Sequence, residues 1–228
     1  MFKSIALTAV FVSLFSLTTW AQSEKDTRSL RSFDAVKVSN GIVAELVKGT
    51  ENKVEITTVG IEAGKVETSV VGETLEIRLA RGNYRNHTVK VKVTYVEVLG
   101  IEATTNAQVT VRSTIEAVEA YLFATTSAYI EAKISSEILN LEGATNARIL
   151  VSGSAEQLNI KGFTNADIDG SKFNAEDVEL QANTGAKISF HANSSIAGSL
   201  ATAARATYSG TPSSIEVRTT TGASLNRQ

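Results

Sequence analysis

The most ligand-like spacing in the sequence is Asn165-x-Asp167-x-Asp169-Gly170 with Glu176 at the twelfth position. A calcium loop between two helices places oxygen ligands and a turn glycine at these intervals, with Asp where Asn165 stands here. Asp167 and Asp169 are also two residues apart, about 6.6 Å along a strand, within the broad range used by glycosidase acid–base pairs. Their setting argues against both chemistries. Ile168 belongs to a strand-like pattern, no helical spacing flanks the segment, and Arg148 and Lys187 stand at the equivalent places of neighbouring repeats. A carboxylate stacked between two cations stays ionised and makes a poor acid. His87, in the polar run Asn83 to His87, and His191, after Phe190, lack spaced partners for a metal centre or a Ser-His-Asp arrangement. Both read as surface residues. No catalytic residue, metal ligand or cofactor is therefore expected.

Aromatic residues carry a stronger signal for binding. Tyr121 and Phe123 fall at outward positions of one strand, and Phe163 falls outward two repeats later, roughly 10 Å away. Asn140, Glu142 and Lys161 lie between them. Flat rings beside polar groups suit stacking on sugar faces or burial against a protein partner, unless the N-terminal part of the chain covers them. Tyr121, Phe123, Phe163, Glu142 and Lys161 are the candidate ligand-binding residues.

The elements that hold these residues follow from a repeat of about 20 residues. Its clearest copies are Thr145-Asn146-Ala147-Arg148-Ile149, Thr164-Asn165-Ala166-Asp167-Ile168 and Thr184-Gly185-Ala186-Lys187-Ile188. Looser copies centre on Ala107, Ala128, Ala206 and Ala223, giving steps of 21, 19, 19, 20, 20 and 17. Six positions before the alanine stand Ile101, Leu122, Leu141, Ile160, Leu180, Leu200 and Val217; two after it stand Val109, Ile130, Ile149, Ile168, Ile188, Tyr208 and Leu225. Four before it are only small residues, from Ala103 through Gly143 to Thr219. Spacing in twos is the period of a strand, and a fixed repeat of this length marks a solenoid. The expectation is an all-β parallel solenoid of about seven coils over residues 99–228. The residue before each alanine (Asn106, Ser127, Asn146, Asn165, Gly185, Arg205, Gly222) mostly tolerates a left-handed turn, Arg205 being the exception.

Residues 33–98 read as longer strands out of step with these columns, including a hairpin around Val71-Gly72-Glu73, and are expected to form a β-rich cap over the first edge of the stack. Residues 22–32 are polar and expected to be a flexible leader. Residues 1–21, with Lys3, an apolar core from Ile5 to Leu17 and a small-residue site at Thr19-Trp20-Ala21, resemble a secretory signal peptide. Its removal leaves no transmembrane span and makes the chain one charge more negative than its formal −2. That balance is unlike a basic nucleic-acid surface. The absence of cysteine excludes disulfides, thiolate metal sites and a lipoprotein anchor.

The start Val38-Ser39-Asn40-Gly41-Ile42-Val43-Ala44-Glu45-Leu46, the tandem turns, and the closing Tyr208-Ser209-Gly210-Thr211-Pro212 and Thr221-Gly222-Ala223-Ser224-Leu225 resemble the auto-transporter adhesin family with a head-GIN domain. The likeness runs over residues 33–226, although Thr-Asn-Ala or Thr-Ser-Ala replaces the family's usual Ser-Gly-Ala-Ser turn in several coils. The resemblance implies a right-handed parallel β-helix from a bacterium of the Bacteroidetes type, and it supplies no catalytic residues. The expected function is that of an exported, non-enzymatic surface module: an adhesin contacting a glycan or an envelope or host surface protein through flat faces. It would act in the periplasm, on the outer-membrane surface or outside the cell. Alternatives are a carbohydrate-active enzyme, either a polysaccharide lyase or a glycoside hydrolase, and a purely structural envelope protein. An unpaired last edge near Gln228 would favour a homodimer.

Overall fold

The computed structural model describes residues 23–228; the expected signal segment lies outside the described residues. Seventeen strands and no α-helix occur among the described residues. The N-terminal strands are β1 (Ser23–Ser29), β2 (Ala35–Val38), β3 (Val43–Lys48), β4 (Lys53–Val59), β5 (Val66–Val71), β6 (Thr74–Leu79) and β7 (Thr88–Tyr95). Then come β8 (Gly100–Ala103), β9 (Gln108–Val111), β10 (Ile115–Ala124), β11 (Tyr129–Gly143), β12 (Arg148–Gly162), β13 (Asp167–Ala182) and β14 (Lys187–Leu200). The chain closes with β15 (Arg205–Ser209), β16 (Ser214–Thr219) and β17 (Ser224–Arg227). All join one sheet that winds on itself as a β-solenoid of about seven turns.

Parallel pairing piles like residues over like. Ile101, Leu122, Leu141, Ile160 and Leu180 form one inner column, and Val109, Ile130, Ile149, Ile168 and Ile188 form another. None is more than 2% exposed. Each such burial stabilises the fold by roughly 1.5–3 kcal/mol relative to exposure, so the columns dominate its energetics. Where the coil turns sharply the two inner faces converge. A Cβ added at Gly143 would lie 3.2 Å from the Ala166 and Ile168 side chains, which is why only small residues fit that position.

The sharp corner is a two-residue turn with both residues in the left-handed region. Its first residue is threonine seven times: Thr105, Thr126, Thr145, Thr164, Thr184, Thr202 and Thr221, at φ between 45° and 55°. The alanine amide donates back to the carbonyl three residues earlier, and the amide between them donates to the threonine carbonyl of the next coil, as in Asn146 N to Thr164 O at 3.0 Å. A β-branched residue is disfavoured at such φ, whereas asparagine tolerates it. Thr145→Asn is therefore expected to raise stability by up to about 1 kcal/mol, read as a higher urea midpoint. A lowered midpoint would mean that the stacked threonines contribute more than their backbone strain costs.

Three expectations are corrected. Arg205 lies opposite Lys187 and Ala206 opposite Ile188, so the alanine of that turn is Ala204, with Thr202 and Ala203 left-handed. Ala206 belongs two places further on, and the steps become 21, 19, 19, 20, 18 and 19. Arg205 thus lies on a strand and is no exception. In this coil Leu200 fills the small-residue column opposite Ala182, while Gly198 stands opposite Leu180. The exchange of large and small keeps the local volume similar.

Second, the region read as an out-of-step cap continues the columns. β2 pairs in parallel with β6 on one side and β8 on the other, and β3 likewise with β7 and β9. Val36 lies opposite Ile101 and Ala44 opposite Val109. Asn40 and Gly41 make the same left-handed turn, with Gly41 N donating to Thr105 O at 2.9 Å. The chain leaves β3, lays β6 and β7 on the far side of β2 and β3, and crosses back to begin β8. Third, the expected flexible leader is β1, antiparallel to β4, which pairs antiparallel with β7. β1 occupies an edge of β4 that would otherwise be unpaired. The Arg28 guanidinium secures it by donating to the carbonyl oxygens of Val66 (2.7 Å) and Ala63 (3.2 Å) and to the Thr68 hydroxyl (2.9 Å).

A second, softer corner lies inside the long strands, where the pairing register slips between Leu150 and Ser152 and between Gly170 and Asn174. Here Gly153 lies opposite both Ile134 and Phe173. Phe173 and Phe190 are fully buried, filling the wider interior at this bend.

Candidate functional site

Strands β8, β10 and the second halves of β11 and β12 present one outer face on which side chains stand in register. Phe123 lies between Glu102 and Glu142, and Glu142 is followed by Lys161. In the adjacent column Tyr121 lies between Gly100 and Asn140, and Asn140 is followed by Asn159. Four of the five expected binding residues thus share two neighbouring columns. Phe163 sits at the corner, beside the turn residue Thr164, rather than on the flat of the face. All three rings are half-buried.

Tyr121 lies directly over Gly100, in the place where a Cβ would project. Burial raises its phenol pKa above the ordinary value, with the Glu102 and Asp34 charges adding to the effect. Beside it runs a chain of amides: Gln157 Nε2 donates to Asn159 Oδ1 (3.1 Å), Asn159 Nδ2 to Asn140 Oδ1 (2.9 Å), and Asn140 Nδ2 to Glu119 Oε1 (2.8 Å). Lys37 pairs with Glu102 at 2.9 Å. The face offers ring surface next to fixed donors and acceptors repeated about every 4.8 Å. That arrangement suits an extended polar ligand with flat apolar patches.

A concave feature elsewhere on the surface was invisible in the sequence. The outer surfaces of β1, β4, β7 and β3 bound a cavity of about 520 Å³ lined by Lys25, Thr27, Glu55, Thr57, Lys90, Lys92, Val43 and Glu45, among others. Ser23–Ser29 has no apolar residue to betray a strand, and its partners come from segments far along the chain.

The other chemical candidates resolve into structural contacts. Asp167 faces outward and pairs with Arg148 at 3.6 Å, in the column that also holds Lys187. Asp169 accepts from the Ser171 hydroxyl (2.6 Å) and amide (3.0 Å). The Ser171 hydroxyl bond is the main reason its carboxyl titrates below the ordinary range, with the backbone amide, Arg148 and Lys172 assisting. It is thus held as a carboxylate rather than prepared as an acid. Glu176 accepts from Asn193 Nδ2 at 3.1 Å. His191, read from the sequence as a surface residue, has two hydrogen-bond partners. Asn193 donates its amide to Glu176, so its Oδ1 accepts from His191 Nε2 (3.0 Å), and His191 Nδ1 lies in hydrogen-bond contact with the Ser209 hydroxyl (2.9 Å). This chain ties β13, β14 and β15 together across the bend where the backbone register slips. Among the described residues no group of three or more His, Asp or Glu is placed to hold a metal, and no helix is long and apolar enough to cross a membrane.

Solved structures of similar shape exist. A "putative adhesin" from Bacteroides fragilis superposes with a TM-score of 0.82 at 12% identity, over 91% of this chain and 97% of its own. A "putative adhesin" from Parabacteroides merdae gives 0.75 at 14% identity, over 91% and 96%. A "putative lipid binding protein" from Parabacteroides distasonis gives 0.64 at 17% identity, over 90% and 96%. At these identities the likeness is one of fold. No curated protein matches the sequence. A family model described as "Putative auto-transporter adhesin, head GIN domain" matches residues 32–212.

Proposed function

The chain belongs to this head GIN domain family, and on that premise we propose that it is an exported, non-enzymatic binding module that holds a glycan or an envelope protein on the flat outer faces of its solenoid. The observation that carries this reading is the register of Tyr121 and Phe123 with Asn140 and Glu142 on one rigid face. The backbone fixes the spacing of these groups, so a ligand pays little to organise them. The signal-like segment and the family description support export.

Glycan arrays and pull-downs from envelope fractions with the purified protein test the proposal. The double substitution Tyr121→Ala with Phe123→Ala is expected to weaken the captured interaction at least tenfold, since each ring contributes on the order of 1 kcal/mol of contact energy. Both rings lie outside the core columns but are half-buried, so the double variant should unfold at a somewhat lower temperature yet keep the β-rich circular dichroism of the unaltered protein. Unchanged binding by the double variant, or turnover of a polysaccharide by the purified protein, would overturn the proposal.

A further inference from the structure

We propose that the cavity between β1, β4, β7 and β3 is a second binding site, and that it takes an acidic saccharide through Lys25 and Lys90. This rests on the glycan-binding reading above and extends it to a ligand class. Lys25, Thr57, Lys90 and Val43 stand in one row across four strands, since Lys25 lies opposite Thr57, Thr57 opposite Lys90, and Lys90 opposite Val43. All four line the cavity. Two interstrand steps of about 4.8 Å separate the lysines, with the threonine between them.

The charges around the cavity are not all matched. Lys92 pairs with Glu55 at 3.5 Å, Glu45 with Arg112 at 3.1 Å, and Asp26 with Arg28 at 2.8 Å. Among the described residues Lys25 and Lys90 make no ion pair. They flank a hydroxyl in a concave setting, which is an arrangement for one anionic group rather than for solvent alone. Val43, 38% exposed, adds an apolar floor next to Lys90. Glu45, Glu55 and Thr27 supply acceptors and a further hydroxyl for hydrogen bonds. A sugar ring matches the whole set: its acid group lies between the lysines, its C–H face over Val43, and its hydroxyls against the carboxylates.

Titration calorimetry of the full chain at low and moderate salt tests the site. The probes are oligogalacturonate, its methyl ester, dextran sulfate, neutral dextran, and vesicles of an anionic phospholipid. Oligogalacturonate or dextran sulfate is expected to bind, more weakly as salt rises, with the methyl ester or neutral dextran at least tenfold weaker. Lys25→Gln with Lys90→Gln should reduce that binding at least tenfold without moving the thermal transition, whereas Lys187→Gln with Arg205→Gln should leave it unchanged. The idea is overturned if the Lys25/Lys90 variant binds like the unaltered protein, if charged and uncharged probes bind equally, if neither acidic probe binds, or if only the vesicles do. Absence of binding by both acidic probes, beside a neutral glycan that is lost with Tyr121 and Phe123 but kept in the lysine variant, would sink this site while sparing the proposed function.

Discussion

Replacing Gly153 by alanine should cost at least about 3 kcal/mol, a large share of the roughly 5–15 kcal/mol that holds a typical domain folded. Gly153 has φ +121°, a region alanine does not occupy without strain, and the new methyl would run into the Ile134 carbonyl oxygen of the adjacent coil. That obstacle is backbone already committed to the sheet, so it has nowhere to move. Gly222 is the control: its φ is +72° and nothing lies within 4 Å of an added Cβ. Gly222→Ala should cost only about 1–2 kcal/mol, the ordinary penalty for a left-handed alanine. Urea unfolding of the two variants compares them directly, and equal losses would show that close approach at the soft bend is unimportant.

Phe173→Ala should cost about 3–5 kcal/mol, because the ring is fully buried and its neighbours are strands unable to close the gap. Phe173 lies opposite Gly153, which invites the thought that the glycine exists to make room for the ring. The two substitutions separate these ideas. If ring volume were the reason for the glycine, Phe173→Ala would relieve the defect of Gly153→Ala. The Ile134 carbonyl predicts no such rescue, and the double variant should be at least as unstable as the worse single one. A double-mutant cycle by denaturant unfolding decides between them.

Much of the fold was legible because the solenoid writes its cross-section into the sequence repeatedly. Leu141, Ile160 and Leu180 read as one column from their spacing alone, and they stack as one. Even steps between alanines mislead at Ala206, because the coil from Ala186 to Ala204 is only 18 residues long. Threonine stands two residues before the turn alanine at seven of the eight sharp corners, including Thr202 before Ala204, with Asn40-Gly41 the one exception. That spacing would have fixed the register. The opening coils were harder, since β2 and β3 are separated from β8 and β9 by a long excursion through β4 to β7, which hides a period of 20. β1 left no trace: it is held by backbone pairing and by Arg28, neither of which imposes a pattern on seven polar residues.

The candidate face was legible in part for the same reason. Counting in twos along a repeat placed Phe123, Glu142 and Lys161 together, whereas Phe163 needed the geometry of the turn to show that it leaves the flat surface. The His191 contacts and the cavity beside β1 depend on which strands become neighbours across a bend or after an excursion. Spacing along the chain does not encode that.

The repeated threonine turn also makes length an independent variable. Every full circuit closes with the same corner and advances the rod by about 4.8 Å whatever its outward side chains are. Gain or loss of one whole unit would therefore slide the two extremities apart or together like marks on a ruler, with the chemistry at each mark intact. Reach can evolve in this architecture by counting, separately from what is recognised.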